Sequence, residues 1–229
     1  MGTVTILPET PKDPISLIGR RAGVCYGTDI TNPEKNYKRG LKCISDNHGR
    51  TMEFVDVHMI INGFSARVIR EYYRHVGGMT PYLQASTRYI NYENFDIIRP
   101  RSVEKNSDTL VEFNTATSNL RKSLKTLKNL GVPNEDIANL LPLGMTTKCV
   151  EKRNLRNLVD MSHVRKCTRA YHEYRLELFP AIENALKEYS DEWAWIVDNL
   201  FKPKCEVYGF CDESKSCGRM PKKGNVNEN

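Results

Sequence analysis

Residues Arg74 to Tyr89 read RHVGGMTPYLQASTRY, gathering two arginines, a histidine, a diglycine and a Ser-x-Arg-Tyr into one short span. Guanidinium forks suit bidentate contact with phosphate, and glycines let backbone N–H groups approach a ligand closely. The chemistry implied is the grip of an anion beside a flat ring. Ser86 has no His and acid at a recognisable triad spacing, which argues against a hydrolase nucleophile.

The preceding residues must aim these groups. From Phe54 to Ile61, the apolar Val55, Val57, Met59 and Ile61 alternate with Asp56 and His58, the period of a half-buried strand. Asn62-Gly63 is expected to turn the chain. Ser65 then caps a short helix in which Ala66, Val68, Ile69, Tyr72 and Tyr73 supply apolar surface, with Arg67, Arg70 and Arg74 on one side. The helix ends at Arg74, and Gly77-Gly78 opens a loop.

Elsewhere the chain reads as a single α+β domain. Val4 to Leu7 and Gly23 to Tyr26 read as short strands or connections, with Pro8, Pro11 and Pro14 keeping the piece between them extended. Leu110, Phe113, Thr117, Leu120, Leu124 and Leu127 recur at helical steps, predicting an amphipathic helix over Thr109–Leu130 that stops at Gly131. Its stripe reads as core or subunit interface. A short helix starts at Pro133, Met145 to Val150 reads as a strand, and Asn154 caps a helix ending near Arg165. A long helix from about Cys167, bent at Pro180, and a last one over Asp191–Phe201 follow.

Composition limits the function classes. With 229 residues, 39% hydrophobic and 27% charged, the chain can bury one good core. It has no apolar run of membrane-spanning length, and its first residues lack a signal-peptide layout, so a cytoplasmic protein is expected. The net charge is +6, and Lys148 to Arg175 alone carries eight Lys or Arg against three acids. An anionic partner follows, whether nucleotide, dinucleotide or nucleic-acid strand; a solvated helix face is the plainer account of the same charges.

At RHVGGMTPYLQASTRY the chain resembles the flavin-dependent thymidylate synthases, whose signature is RHR followed after seven residues by SxR. Arg74-His75 and Ser86-Thr87-Arg88 match; Val76 stands in place of the third arginine, and nine residues separate Val76 from Ser86. Gly77-Gly78 can absorb the extra length. Leu141-Pro142, Thr147, Asn154-Leu155-Arg156 and Arg165 follow the family's order and spacing, and His48 and Thr51 stand upstream where its members carry a His and a Thr or Ser, one residue off their spacing. Two positions depart: Ala138 stands where an arginine is usual, and Asp160 where Asn or His is.

The resemblance implies an α+β fold with a mixed, mainly antiparallel sheet packed with helices, assembled as a homotetramer. It implies reductive methylation of dUMP to dTMP with FAD, with methylenetetrahydrofolate as one-carbon donor and NADPH or NADH as reductant. By the same resemblance Arg165 is catalytic, favouring the anionic pyrimidine. Thr51, Arg74, His75, Gln84, Asn154, Arg156 and Asp160 would serve FAD. Glu71, Arg74, Gln84, Ser86, Arg88 and Arg165 would serve dUMP. Each has a plainer role: His75 and His48 as satisfied structural histidines, Arg88 paired with a carboxylate such as Glu93, Arg165 as a cation at a helix C-terminus. The departures leave room for a relative that modifies another pyrimidine nucleotide or hydroxymethylates dUMP.

The seven cysteines are expected to be free thiols. Five residues separate Cys205 from Cys211 and Cys211 from Cys217, wider than the usual pairing in a structural zinc site, which also needs a fourth ligand. Zinc on these three is the metal alternative, and with it a basic nucleic-acid-binding module. The domain is expected to span 1–217, with its Cys-rich end at 205–217 and a disordered tail at 218–229.

Overall fold

The structure, a computed structural model, describes residues 2–75 and 80–224. The elements are β1 (Thr3–Ile6), α1 (Pro14–Cys25), α2 (Pro33–Ser45), β2 (Asp56–Ser65), α3 (Ala66–Tyr73), β3 (Tyr82–Gln84), α4 (Arg101–Glu104), α5 (Ser107–Asn129), α6 (Asn134–Ile137), β4 (Thr146–Asn154), α7 (Leu155–Arg165), α8 (Phe179–Tyr189), α9 (Asp191–Leu200) and α10 (Lys204–Tyr208). A 3-10 turn at Gly49–Phe54 precedes β2, and a π turn at Tyr174–Leu178 leads into α8. The expected Gly77-Gly78 loop lies outside the described residues.

The α+β expectation holds, but the sheet is not mixed. Its order is β1-β2-β4-β3 and every pairing is antiparallel. Alternation along β2, with Val57, Met59 and Ile61 buried and Asp56, His58 and Ile60 partly exposed, suits an antiparallel sheet that keeps one face wet. Asn62-Gly63 does not turn the chain. The register shifts between Asn62 and Phe64, Gly63 takes φ 78°, and the strand continues to Ser65. A glycine at positive φ here makes a bulge that re-aims the strand end.

Gly23 to Tyr26 is likewise no strand. Pro14 occupies the first turn of α1, where its missing N–H costs nothing, and the helix runs on through Cys25. Asp13 makes no side-chain cap; instead Glu192 of α9 accepts from the N–H groups of Ile15 (2.7 Å) and Ser16 (3.0 Å) and from the Ser16 hydroxyl (2.6 Å). The helix α2, which sequence patterning missed, starts at an Asn-Pro pair: Asn32 accepts from the N–H of Lys35, and Pro33 follows. These two helices cross at backbone contact, since a Cβ on Gly19 would lie 1.8 Å from the Asn36 carbonyl oxygen and one on Gly40 2.0 Å from that of Ile15.

The main core lies between the buried face of the sheet and α1, α3, α7, α8 and α9, and centres on Ile15, Met59, Tyr72, Leu158, Tyr174, Phe179 and Trp193. At the expected bend, a π turn at Tyr174–Leu178 runs into α8, in whose first turn Pro180 stands. The helix α5 is anchored at one end: Leu124 packs with Phe95, Ile137 and Met145, whereas Leu110 and Phe113 stay partly exposed. Of the expected tail from residue 218, residues 218–224 are described. Cys211 donates to Pro221 O and accepts from Lys223 N, and only 225–229 lie outside the described residues.

Glu192 supplies the cap that α1 lacks, so Glu192→Ala is expected to lower stability by about 1–3 kcal/mol, with Glu192→Gln losing less. Urea unfolding checks this. Parent-like midpoints in Glu192→Ala would show that the contacts of Glu192 are not needed.

Candidate active site

The site forms where two helix ends meet. After the bulge, Ser65 accepts from the N–H of Val68 (3.0 Å) and so starts α3. The fully buried carboxylate of Glu173 accepts in turn from the Ser65 N–H (2.8 Å) and hydroxyl, locking strand to helix. Three groups then emerge at the end of α3: Glu71, Arg74 and His75. From the other half of the sequence, Asn154 caps α7 by accepting from Asn157 N–H (2.9 Å), and eleven residues later the helix ends at Arg165.

Arg165 does not serve its own helix end. Its Nε donates to His75 Nε2 at 2.7 Å, a terminal nitrogen donates to Glu71 Oε2 at 3.0 Å, and its guanidinium carbon lies 4.8 Å from the Tyr174 ring centroid. Residues 90 positions apart are thereby joined. His75 Nε2 acts as an acceptor, which requires a neutral ring. Burial, followed by the charges of Arg165, Arg153 and Arg74, brings the His75 pKa down to about 4. The arrangement presents guanidiniums as fixed donors, with an imidazole that stays uncharged near neutral pH.

Beneath this junction is a buried network that sequence reasoning missed. Arg153, only 2% exposed, donates to both oxygens of Glu151 (3.1 and 2.9 Å), to the main-chain carbonyl of His75 and to Asn157 Oδ1. The Tyr72 hydroxyl donates to Glu151, and the Arg153 guanidinium carbon lies 4.6 Å from the Tyr72 ring centroid. Burial, then the neighbouring Glu151 charge, pushes the Tyr72 phenol well above its ordinary pKa. The Tyr174 hydroxyl is buried with no hydrogen-bond partner among the described residues. A signal was available: Glu151 and Arg153 share the strand parity of Cys149 and Thr147, which puts two charges on the buried face of β4.

The other expected residues form separate groups. Thr51 donates to the His48 carbonyl at 2.7 Å, and Arg156, at the start of α7, pairs with Glu53 at 2.7 Å. Asp160 is exposed on α7. Gln84 lies on β3 and donates to Thr147 Oγ1 at 3.1 Å, and Ser86 accepts from the Arg88 N–H. Arg88 does pair with a carboxylate, but with exposed Glu135 at 2.8 Å rather than Glu93. Among the described residues, no hydrogen bond or ion pair joins Gln84, Ser86 or Arg88 to Glu71, His75 or Arg165.

Cys205, Cys211 and Cys217 line one cavity of about 310 Å³, together with Cys167, Arg165 and His163. Even so, among the described residues no three His, Cys, Asp or Glu side chains are grouped as a metal site requires. Buried Cys149 has its pKa raised by burial to about 11, unlike an activated thiolate. Among the described residues no helix is long and apolar enough to cross a membrane.

Comparison with known proteins identifies the family. A family model described as "Thymidylate synthase complementing protein" matches residues 6–188. The flavin-dependent thymidylate synthase of Nitratidesulfovibrio vulgaris is 25% identical over 243 residues, covering 95% of each chain. That of Clostridium tetani is 26% identical over 247 residues, covering 96% of this chain and 94% of the relative. Among solved structures, the flavin dependent thymidylate synthase ThyX of Helicobacter pylori, complexed with FAD and dUMP, superposes with a TM-score of 0.68 over 87% of this chain and 100% of its own. At 17% identity that likeness speaks for the fold alone. With four-fifths of its length matched by the family model and its two motif halves meeting at Arg165, His75 and Glu71, the chain belongs to the thymidylate synthase complementing protein family.

Proposed function

We infer that this protein is a flavin-dependent thymidylate synthase that reductively methylates dUMP to dTMP, with methylenetetrahydrofolate as one-carbon donor and reduced nicotinamide as reductant. The observation that carries the reading is the meeting of Arg165 with His75 and Glu71, since it places the second-half arginine against the signature segment. The solved Helicobacter pylori relative holds FAD and dUMP, and the Nitratidesulfovibrio vulgaris and Clostridium tetani relatives carry the flavin-dependent thymidylate synthase name.

The residues present suit FAD. Beside Thr51, a recess of about 350 Å³ is lined by Ala22, Cys25, Tyr26, Cys43, His48, Gly49 and Arg50. The Arg156 guanidinium lies beside Gly49, 3.4 Å from where a Cβ there would sit, an ordinary van der Waals contact. An apolar recess with a hydroxyl and a guanidinium at its rim fits an adenosine carried on phosphates. Thr51, Asn154, Arg156 and Asp160 would hold that part, and Arg74, His75 and Gln84 would approach the flavin ring. Bound FAD supplies the hydride chemistry.

The protein's own contribution is to bind and polarise. Glu71, Arg74, Gln84, Ser86 and Arg88 would hold dUMP, with Arg88 chiefly on its phosphate; its pairing with Glu135 is exposed and easily exchanged. Arg165 would favour the anionic pyrimidine by charge and hydrogen bonding, needing no enzyme thiol. Neutral His75 accepts from Arg165 and so fixes its orientation. A homotetramer is proposed as the working form, and the partly exposed Leu110 and Phe113 of α5 suit burial against another subunit.

Three outcomes test this reading. Purified protein should be yellow, release FAD on denaturation and convert dUMP to dTMP when given both co-substrates; a colourless protein without that turnover contradicts it. Arg165→Ala should lower kcat by about 100- to 1000-fold while retaining FAD, whereas Arg88→Ala should raise KM for dUMP roughly 10- to 100-fold with kcat little changed. Steady-state kinetics separates the two.

The third concerns pH. A folded-state His75 pKa of about 4, against an ordinary 6.5, means that the unfolded chain binds the extra proton. The stabilisation is therefore complete above the ordinary value and is lost as pH falls from there toward the folded one. Urea unfolding at about pH 5 and pH 7 should show a smaller difference for His75→Gln than for the parent. An equal difference would mean that His75 titrates normally.

A further inference from the structure

We propose that Arg153 is a positioning residue, a buried clamp that sets His75 and Arg165 in their working relation. The proposal rests on the reading of His75 and Arg165 as ligand-facing groups. Its observations are separate from those that support that reading.

One guanidinium touches all three elements that meet at the site. It donates to the main-chain carbonyl of His75 just beyond α3, to Asn157 in the first turn of α7, and through two bonds to Glu151 on β4. The Tyr72 ring stacks against it from α3, and its hydroxyl closes the loop by donating to Glu151. Four donated bonds in a rigid plane fix where α3 ends relative to α7, the helix that carries Arg165 at its far end. Glu151, on the same buried face, pairs with Arg153, whose charge still helps to keep His75 neutral, so the pair adds geometry to the site as well as charge.

Such a pair is a costly way to fill a sheet interior. Its neighbours across β2 are Met59 opposite Glu151 and Val57 opposite Arg153, both apolar and both buried. Apolar residues of similar volume would pack there at least as stably, so stability alone does not account for it. The clamp accounts for the two bonds that reach outside the pair, to His75 and to Asn157. It also explains why a histidine at the end of a short helix is held closely enough to accept from Arg165 at 2.7 Å.

The test compares Arg153→Lys, which keeps a charge opposite Glu151 but lacks the fork, with the double variant Glu151→Leu/Arg153→Leu, which removes both charges together. Both are made in the full chain and read by FAD content, steady-state kinetics with dUMP, and NMR titration of the His75 ring. Both variants should keep FAD. kcat should fall by about 10- to 100-fold, the scale of a misplacement on the order of an ångström. The His75 ring, which neighbours Arg165, Arg153, Arg74 and Tyr174, with Glu71 beyond Arg165, should titrate upward from about 4; in Arg153→Lys, where the charge stays, that rise reports position. Arg153→Lys, the milder change, should keep more activity than the double variant.

A folded variant with the parent's kcat and His75 titration overturns the proposal. So does a folded Arg153→Lys variant that loses turnover while His75 titrates as before, since the loss then does not run through the placement of His75. If the parent makes no dTMP, the functional reading fails, and the His75 titration of Arg153→Lys still decides whether Arg153 holds the ring.

Discussion

The guanidinium of Arg165, bonded at once to His75 and Glu71, is the contact on which the site depends. It joins the end of α3 to the end of α7, and each helix reaches that point by a device of its own. The bulge at Gly63, the Ser65 cap and the buried Glu173 direct α3; the Asn154 cap starts α7 directly off β4. Because β2 and β4 are adjacent antiparallel strands, Ser65 and Thr146 pair at one end and Asp56 and Asn154 at the other, so α3 and α7 leave the sheet at opposite ends. The Arg165 end of α7 must therefore run back along the sheet to reach α3. Eleven residues at about 1.5 Å each give that helix a length of roughly 16 Å, suited to the return.

Charge around this junction is arranged rather than merely abundant. Arg165 is answered by Glu71, Arg153 by Glu151, Arg156 by Glu53 and Arg88 by Glu135. The buried pair is fixed by geometry, while the exposed pairs can exchange their carboxylates for phosphate oxygens at small cost. Among these cations, His75 stays neutral because protonation would add a fourth positive charge beside Arg165, Arg153 and Arg74 in a partly desolvated place. Neutrality is what lets it accept from Arg165.

Much of this was legible in the residues. The strand preceding α3, the Ser65 and Asn154 caps, the helix over α5 and the end of α7 near Arg165 follow from local rules, because periodicity and capping act over a few residues. Four features were not. Gly63 reads equally as a turn or a bulge, and only the partner strand decides. The helix α1 takes its cap from Glu192, 177 positions from Ile15, which no window contains. The Arg153 network was half visible, since strand parity puts both charges inward, but its bonds to His75 and Asn157 come from other elements. The separate positions of Arg88 and Arg165 could not be read from a motif that lists residues without distances.

The central claim is that arginines far apart in sequence act on one bound pyrimidine nucleotide beside a flavin. The most direct measurement is a crystal structure of the protein grown with FAD and dUMP. The account predicts the Arg165 guanidinium within hydrogen-bond reach of the pyrimidine ring, with Arg88 on the phosphate. Ligands bound elsewhere, with Arg165 still engaged only by His75 and Glu71, would contradict it.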